Sequence, residues 1–224
     1  TDIATKLEDI VARRISFLTE YQNEAYARRY KDFVVAVQKN ESRALPEGED
    51  LARAVARYYF KLLTYKDEYE VARLYTDTGF MDKVNQAFEG DFKLNFHLAP
   101  PVLADRNLDT GNLEKKSYGP WVMRAFGVLA KLKGLRGTAF DPFGRSAERR
   151  RERQLITDYE RTVGGLLESL SAENYEIAVD IASIPEQIRG YGHVKERHIK
   201  DAKAHEADLL NAFHDPTRRL DAAE

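Results

Sequence analysis

"DIATKLEDIVARRISFLTEYQNEAYARRYKDFVVAVQ" occupies residues 2–38, and its spacing decides the fold class. Leu7, Ile10, Val11, Ile15, Leu18, Tyr21, Ala25, Tyr26, Tyr30, Phe33, Val34 and Val37 recur at steps of three and four. That is the period of an amphipathic helix, and neither glycine nor proline interrupts it. One unbroken helix of this length spans roughly 55 Å at 1.5 Å per residue. A compact chain of 224 residues has a radius of gyration of only roughly 17 Å. The helix therefore either breaks, with Gln22–Asn23 as the candidate position, or projects beyond the body with its apolar stripe needing cover.

The same period continues downstream. Leu45-Pro46-Glu47-Gly48 breaks the chain, and Leu51, Val55, Tyr58, Tyr59, Leu62 and Leu63 mark the inward side of the next helix. "TYKDEYEVARLYTDTGF" (64–80) continues as a helix ending near Gly79, and "MDKVNQAFEG" (81–90) as a short one closed by Gly90. The period then switches to two in "FKLNFHLAPP" (92–101), where Phe92, Leu94, Phe96 and Leu98 alternate with polar residues. With "DTGN" (109–112) as the turn, this predicts a small β-hairpin over about 92–118, which must pack on helices to be stable. Pro120 opens a helix carrying Trp121, Val122, Phe126, Val128, Leu129 and Leu132. Ser146 caps a helix from Ala147 to about Leu170, and Ser171–Asn174 precedes another. Pro185 starts a short helical turn, and Gly190 and Gly192 punctuate before a final helix to about Phe213. The expectation is a mainly α protein: a multi-helix bundle with a long N-terminal helix and one inserted hairpin. Uniform composition argues for a single domain over 1–224.

Composition narrows function further. The absence of cysteine excludes disulfides, thiolate nucleophiles and cysteine ligation of an iron–sulfur cluster by this chain. A net charge of −2 supplies no global attraction to nucleic acid or an anionic membrane. No apolar run approaches a membrane span and no basic-then-apolar leader opens the sequence, so the expected compartment is the cytoplasm.

The densest polar stretch is "EQIRGYGHVKERH" (186–198). Arg189, Tyr191, His193 and Lys195 stand at a helix start, where backbone N–H groups favour anions, so they are the candidate residues for a carboxylate or phosphate. The five histidines make a poor metal set. His193 and His198 are about 140° apart around a helix, and His198 and His205 share a face but lie roughly 10 Å apart. Val194, His198, Ala202, His205, Leu209 and Phe213 read as the buried stripe of the last helix, with Lys195 and Glu196 facing solvent. "RSAERRRER" (145–153) interleaves Glu148 and Glu152 with its arginines and reads as a salt-bridged helix face, not a nucleic-acid site. Asp67, Glu70 and Arg73 read as surface pairs at i,i+3. The phenylalanines of "FDPFG" (140–144) mark an interface if exposed and plug the core if buried. No catalytic residue, cofactor site or metal site is assigned from the residues.

Several segments, in order through nearly the whole chain, carry a resemblance: "FLTEYQNEAYARRYKDFV" (17–34), "YFKLLTYKDEYEVARLYTD" (59–77), "FEGDFKLNFHLAPP" (88–101), "GPWVMRAFGVLAKLKGLRGTAFDPFG" (119–144), "ERQLITDYE" (152–160) and "IPEQIRGYGHVKE" (184–196). Together they resemble a helical region near the C-terminal end of fused indolepyruvate ferredoxin oxidoreductases, within the 2-oxoacid:ferredoxin oxidoreductase family. The resemblance implies a parent enzyme that oxidatively decarboxylates aryl pyruvates to acyl-CoA. That parent uses thiamine diphosphate, magnesium and iron–sulfur clusters, with CoA and ferredoxin as partners. No catalytic position of the parent falls on a residue of this chain. The implied role is that of an accessory domain, inactive alone, partnered by the remaining domains of the enzyme or by a second copy of itself. A ligand-gating domain that binds CoA or a substrate carboxylate, and a free-standing interaction module, are the competing expectations.

Overall fold

A computed structural model of the chain describes residues 6–77, 79–88, 95–98 and 116–215. They are mainly helical, and the chain divides into two compact units. Unit 1 combines the residues up to Tyr65 with those from Arg151 onward, and unit 2 comprises Lys66–Arg150. Nothing in the composition marks this division.

In unit 1 the opening segment is not one long helix. It forms α1 (Leu7–Tyr21) and α2 (Glu24–Ala44), broken at Gln22–Asn23. Asn23 is extended, and its side chain accepts from the Tyr26 N–H at 2.9 Å, capping α2 locally. The stripe thus folds back on its own protein, and α1 packs on α2. Helix α3 (Asp50–Leu63) lies in the core, with Leu51, Val55, Tyr59 and Leu63 fully buried. The same unit contains the rest of α7 (Ala147–Glu168) from Arg151, then α8 (Tyr175–Ser183), a 3-10 turn at Ile184–Gln187, and α9 (Gly192–His214).

The terminal N–H and C=O groups of a helix need partners outside it, and α3 obtains several from side chains of its neighbours. At its N-terminus the Glu41 carboxylate accepts from the N–H groups of Leu51 (2.8 Å) and Ala52 (3.0 Å) and from the Tyr175 hydroxyl (2.6 Å). At its C-terminus the Leu63 carbonyl accepts from the Tyr26 hydroxyl at 2.9 Å. Tyr30, Tyr59 and Tyr159 stack in succession with ring centroids 6.0 Å apart, joining α2, α3 and α7.

These tyrosines set the alkaline limit of stability. Burial, then the Glu41 hydrogen bond, pushes Tyr175 up to about 12. Burial raises Tyr59 and Tyr159 well above their ordinary value as well. Unfolded tyrosines ionise near 10, so this contribution is complete below pH 10. It is lost as the pH climbs from about 10 through 12 and beyond, because only the unfolded chain releases its protons there. In an alkaline titration, tyrosinate absorbance from the buried set should rise together with the loss of helical ellipticity. Complete ionisation near pH 10 with the helices intact would contradict it.

In unit 2, α4 (Glu68–Thr76), α5 (Phe80–Ala87) and α6 (Val122–Lys131) are followed by a 3-10 turn at Leu132–Leu135. Helix α4 ends at Thr76, three residues before Gly79. At φ 67° it is the residue before α5, a left-handed conformation open to glycine. Strands β1 (Phe96–Leu98) and β2 (Lys116–Tyr118) pair antiparallel, with Phe96 opposite Tyr118 and Leu98 opposite Lys116. The remainder of the segment read as a hairpin, and Gly90, lie outside the described residues. A second core joins Ala72 of α4, Phe96 of β1, and Val122, Phe126 and Ala130 of α6, with Tyr75 stacked on Phe126 at 5.4 Å.

Candidate functional site

The four residues expected to bind an anion do not converge. Gly190 and Gly192 both adopt positive φ, and a Cβ at Gly190 would lie 3.0 Å from Val194 Cγ1, so the bend before α9 requires glycine. Beyond it Tyr191 and His193 are exposed. Lys195 does not face solvent: its Nζ is held by both carboxylate oxygens of Glu152 of α7, at 2.6 and 2.7 Å. Its charge is spent inside the protein. His198 is half-buried and Nδ1 lies 2.8 Å from the Arg189 carbonyl. His205, read as part of the buried stripe, is exposed beside Gln187, and Ile199 takes the buried position on that helix.

Arg189 instead joins Glu186, three residues before it on the 3-10 turn, and residues on the face of α3 that sequence spacing does not connect to it. Its Nε donates to the Glu186 carbonyl at 3.0 Å, and Nη2 stands 3.6 Å from Glu186 Oε1. The Tyr58 hydroxyl donates to Glu186 Oε2 at 2.6 Å. Lys61 Nζ donates to the carbonyls of Pro185 (2.6 Å) and Glu186 (3.3 Å). The Tyr58 hydrogen bond, with Arg57, Arg189 and Lys61 nearby, lowers the Glu186 carboxyl below its ordinary range. Burial first and then the neighbouring Arg189 lower the Lys61 ammonium. Three cations thus surround one carboxylate. Arg57 and Tyr58 also line an open groove of about 510 Å³, shared with Arg53, Tyr175 and Asp180.

In unit 2 the expected surface pairs are buried. Arg73 does meet Glu70, at 2.8 and 2.9 Å, but both are nearly inaccessible. Asp67 pairs elsewhere: Arg136 reaches it through Nε at 2.5 Å and Nη2 at 2.9 Å, while its Oδ1 also caps α4 through the Glu70 N–H. Asp141 of the "FDPFG" loop accepts from Tyr69 (3.1 Å), Gly137 N–H (2.8 Å) and Phe143 N–H (3.0 Å). Guanidinium groups and N–H donors occupy these carboxylates, so they tie the loop to α4 and are not poised for proton transfer. Among the described residues no group of histidines and carboxylates is arranged to hold a metal ion, and no helix is long and apolar enough to cross a membrane.

The same unit carries an exposed apolar row. Trp121, just before α6, Ala125 and Val128 within it, and Leu132, which opens the 3-10 turn after it, fall at steps of four, three and four, and all are exposed, Trp121 and Val128 by 61% and 62%. The opposite face, with Val122, Phe126 and Ala130, is buried. Of the two loop phenylalanines, Phe140 is 82% exposed and Phe143 meets Tyr69 edge-on at 5.4 Å. Sequence periodicity registered all the apolar positions of α6 without separating the two faces. The excess of apolar residues beyond a single stripe was the available signal.

A family model matches residues 7–208, most of the chain and both of its units. The chain belongs to that family, DUF6537, a family of unknown function. No curated protein and no solved structure matches this DUF6537 chain. Two surfaces of the DUF6537 chain stand out: the basic group around Glu186 and the exposed apolar row at α6.

Proposed function

We propose that this chain is an accessory helical domain of an indolepyruvate-type 2-oxoacid:ferredoxin oxidoreductase. In this reading it docks on the domains that bind thiamine diphosphate and contributes to assembly. The observation that carries the reading is the exposed row Trp121, Ala125, Val128 and Leu132. Apolar surface gathered along one helix is the mark of a contact with another protein. The resemblance of the segments quoted above names the enzyme that would supply it. The chemistry belongs to the other domains: thiamine diphosphate, magnesium, iron–sulfur clusters, CoA and ferredoxin are theirs, and compartment and oligomeric state follow the whole enzyme. Deleting the segment from the complete enzyme should impair subunit assembly or turnover. Unchanged assembly and turnover would remove the proposal.

A second reading, a domain that gates ligand entry, is favoured by Arg57, Lys61 and Arg189 gathered about Glu186 beside the groove of α3 and α8. It moves the anion site away from Tyr191, His193 and Lys195 and keeps only Arg189. Calorimetric titration with CoA and with an aryl pyruvate should give saturable heat that Arg57→Gln and Arg189→Gln abolish; no heat excludes it.

A further inference from the structure

We propose that the exposed face of α6 docks an acidic amphipathic helix of the partner protein, aligned along Trp121, Ala125, Val128 and Leu132. This rests on the accessory-domain reading and specifies its contact. The row covers about three helical turns, the footprint of one helix laid alongside another. At about 100° per residue, Arg124 and Lys131 fall together on one flank of the row, two turns apart, and both are exposed. No aspartate or glutamate occurs between Tyr118 and Phe140. The face is therefore apolar with a positive edge, although the chain as a whole is slightly negative.

That charge pattern selects the occupant. A partner helix with its own apolar row and carboxylates two turns apart on the facing edge satisfies both features. An antiparallel second copy of α6 would bring its cations against these, and a parallel copy would set them against the flank of Val122 and Leu129, which holds no carboxylate. An anionic bilayer is met by helices whose polar face is rich in Lys and Arg, whereas the face of α6 opposite the row holds Val122, Phe126 and Ala130, which turn toward the core.

Trp121 is the only tryptophan of the chain, so its emission reports occupancy of the row directly. The probe is a synthetic helical peptide of about 18 residues, long enough to span the face, with leucines at steps of three and four and glutamates on one flank. A companion peptide carries lysines in place of the glutamates. The Glu peptide should shift Trp121 emission to the blue and protect it from iodide at concentrations up to about 1 mM, the weak end of specific binding. The double variant Arg124→Glu with Lys131→Glu should bind it about tenfold more weakly, as expected for reversing two exposed charge pairs, and should bind the Lys peptide instead. Both positions are exposed, and unchanged ellipticity verifies that the variant folds. The proposal is overturned if neither peptide moves the emission, if both move it equally, or if phosphatidylglycerol vesicles move it and the Glu peptide does not.

Sedimentation of the chain with the thiamine-binding part of the enzyme separates the two levels. Association that leaves Trp121 emission unchanged refutes this face and keeps the accessory reading. Uptake of the Glu peptide without association refutes the accessory reading and keeps the face.

Discussion

Replacing Glu41 with leucine is expected to destabilise unit 1 by about 3–5 kcal/mol, the range for removing one member of a buried, charge-assisted hydrogen-bond set. Glu41 has no exposed surface, and its carboxylate accepts from two N–H groups at the start of α3 and from the Tyr175 hydroxyl. Leucine fills most of the space but leaves all three donors facing an apolar wall. The same Tyr175 hydroxyl accepts from the Asp50 N–H at 3.0 Å, so the loss spreads to the entry of the helix. Glutamine retains one acceptor oxygen and should cost less, about 1–2 kcal/mol. Urea unfolding followed by ellipticity measures both variants. A cost below about 1 kcal/mol for the leucine variant, the size of one ordinary hydrogen bond, would show that α3 does not depend on this cap.

Removing the guanidinium of Arg136 should act as strongly on unit 2. Arg136→Ala leaves Asp67 charged and about 3% exposed, and breaking a buried pair from one side costs about 3–5 kcal/mol. The alanine also removes the guanidinium that lies 5.6 Å over the Tyr69 ring. Replacing the pair together, Arg136→Met with Asp67→Asn, removes the stranded charge and keeps a side-chain oxygen to cap α4. This double variant should recover most of the loss, since apolar replacement of a buried ion pair is often neutral. Thermal unfolding of Arg136→Met, Asp67→Asn and the double variant gives the coupling. Additive losses would mean that Asp67 and Arg136 act independently.

Both effects arise at residues whose role was not legible in the linear sequence, for a common reason. Periodicity identifies which residues share a helix face and says little about what covers it. Tyr30, Val34, Val37 and Glu41 continue one stripe of α2 at steps of four, three and four. A carboxylate in that register signals a buried charge, but only the arrival of α3 supplies its partners. Asp67, Glu70 and Arg73 have spacing that suits a surface ladder, and only the loop around Arg136 and Asp141 turns that face inward. Lys195 is a similar case, drawn to Glu152 across helices.

Local events fared better, because their causes are local. The break at Gln22–Asn23 follows from an asparagine cap, and the start of α7 from Ser146, whose hydroxyl accepts from the Arg149 N–H at 3.2 Å. The turn at Pro185 and the bend through Gly190 and Gly192 follow from backbone preferences of those residues alone. The site inherited the opposite difficulty. Arg189 is recognisable as a candidate, with Glu186 three residues before it, yet Arg57 and Lys61 join them from α3, at separations no spacing rule connects.

The tyrosine stack has a consequence for synthesis. Its members come from α2, α3 and α7, and its flanking pairs, Arg29 with Glu160 and Glu41 with Tyr175, are separated by 131 and 134 residues. At a ribosomal rate of about 5–20 residues per second, the first half of each pair waits on the order of ten seconds for the second. During that interval Tyr59 lacks Tyr159 and Glu160, and Glu41 lacks the Tyr175 hydroxyl. A fragment truncated before α7 is therefore expected to expose these groups and aggregate, as light scattering of that fragment would show.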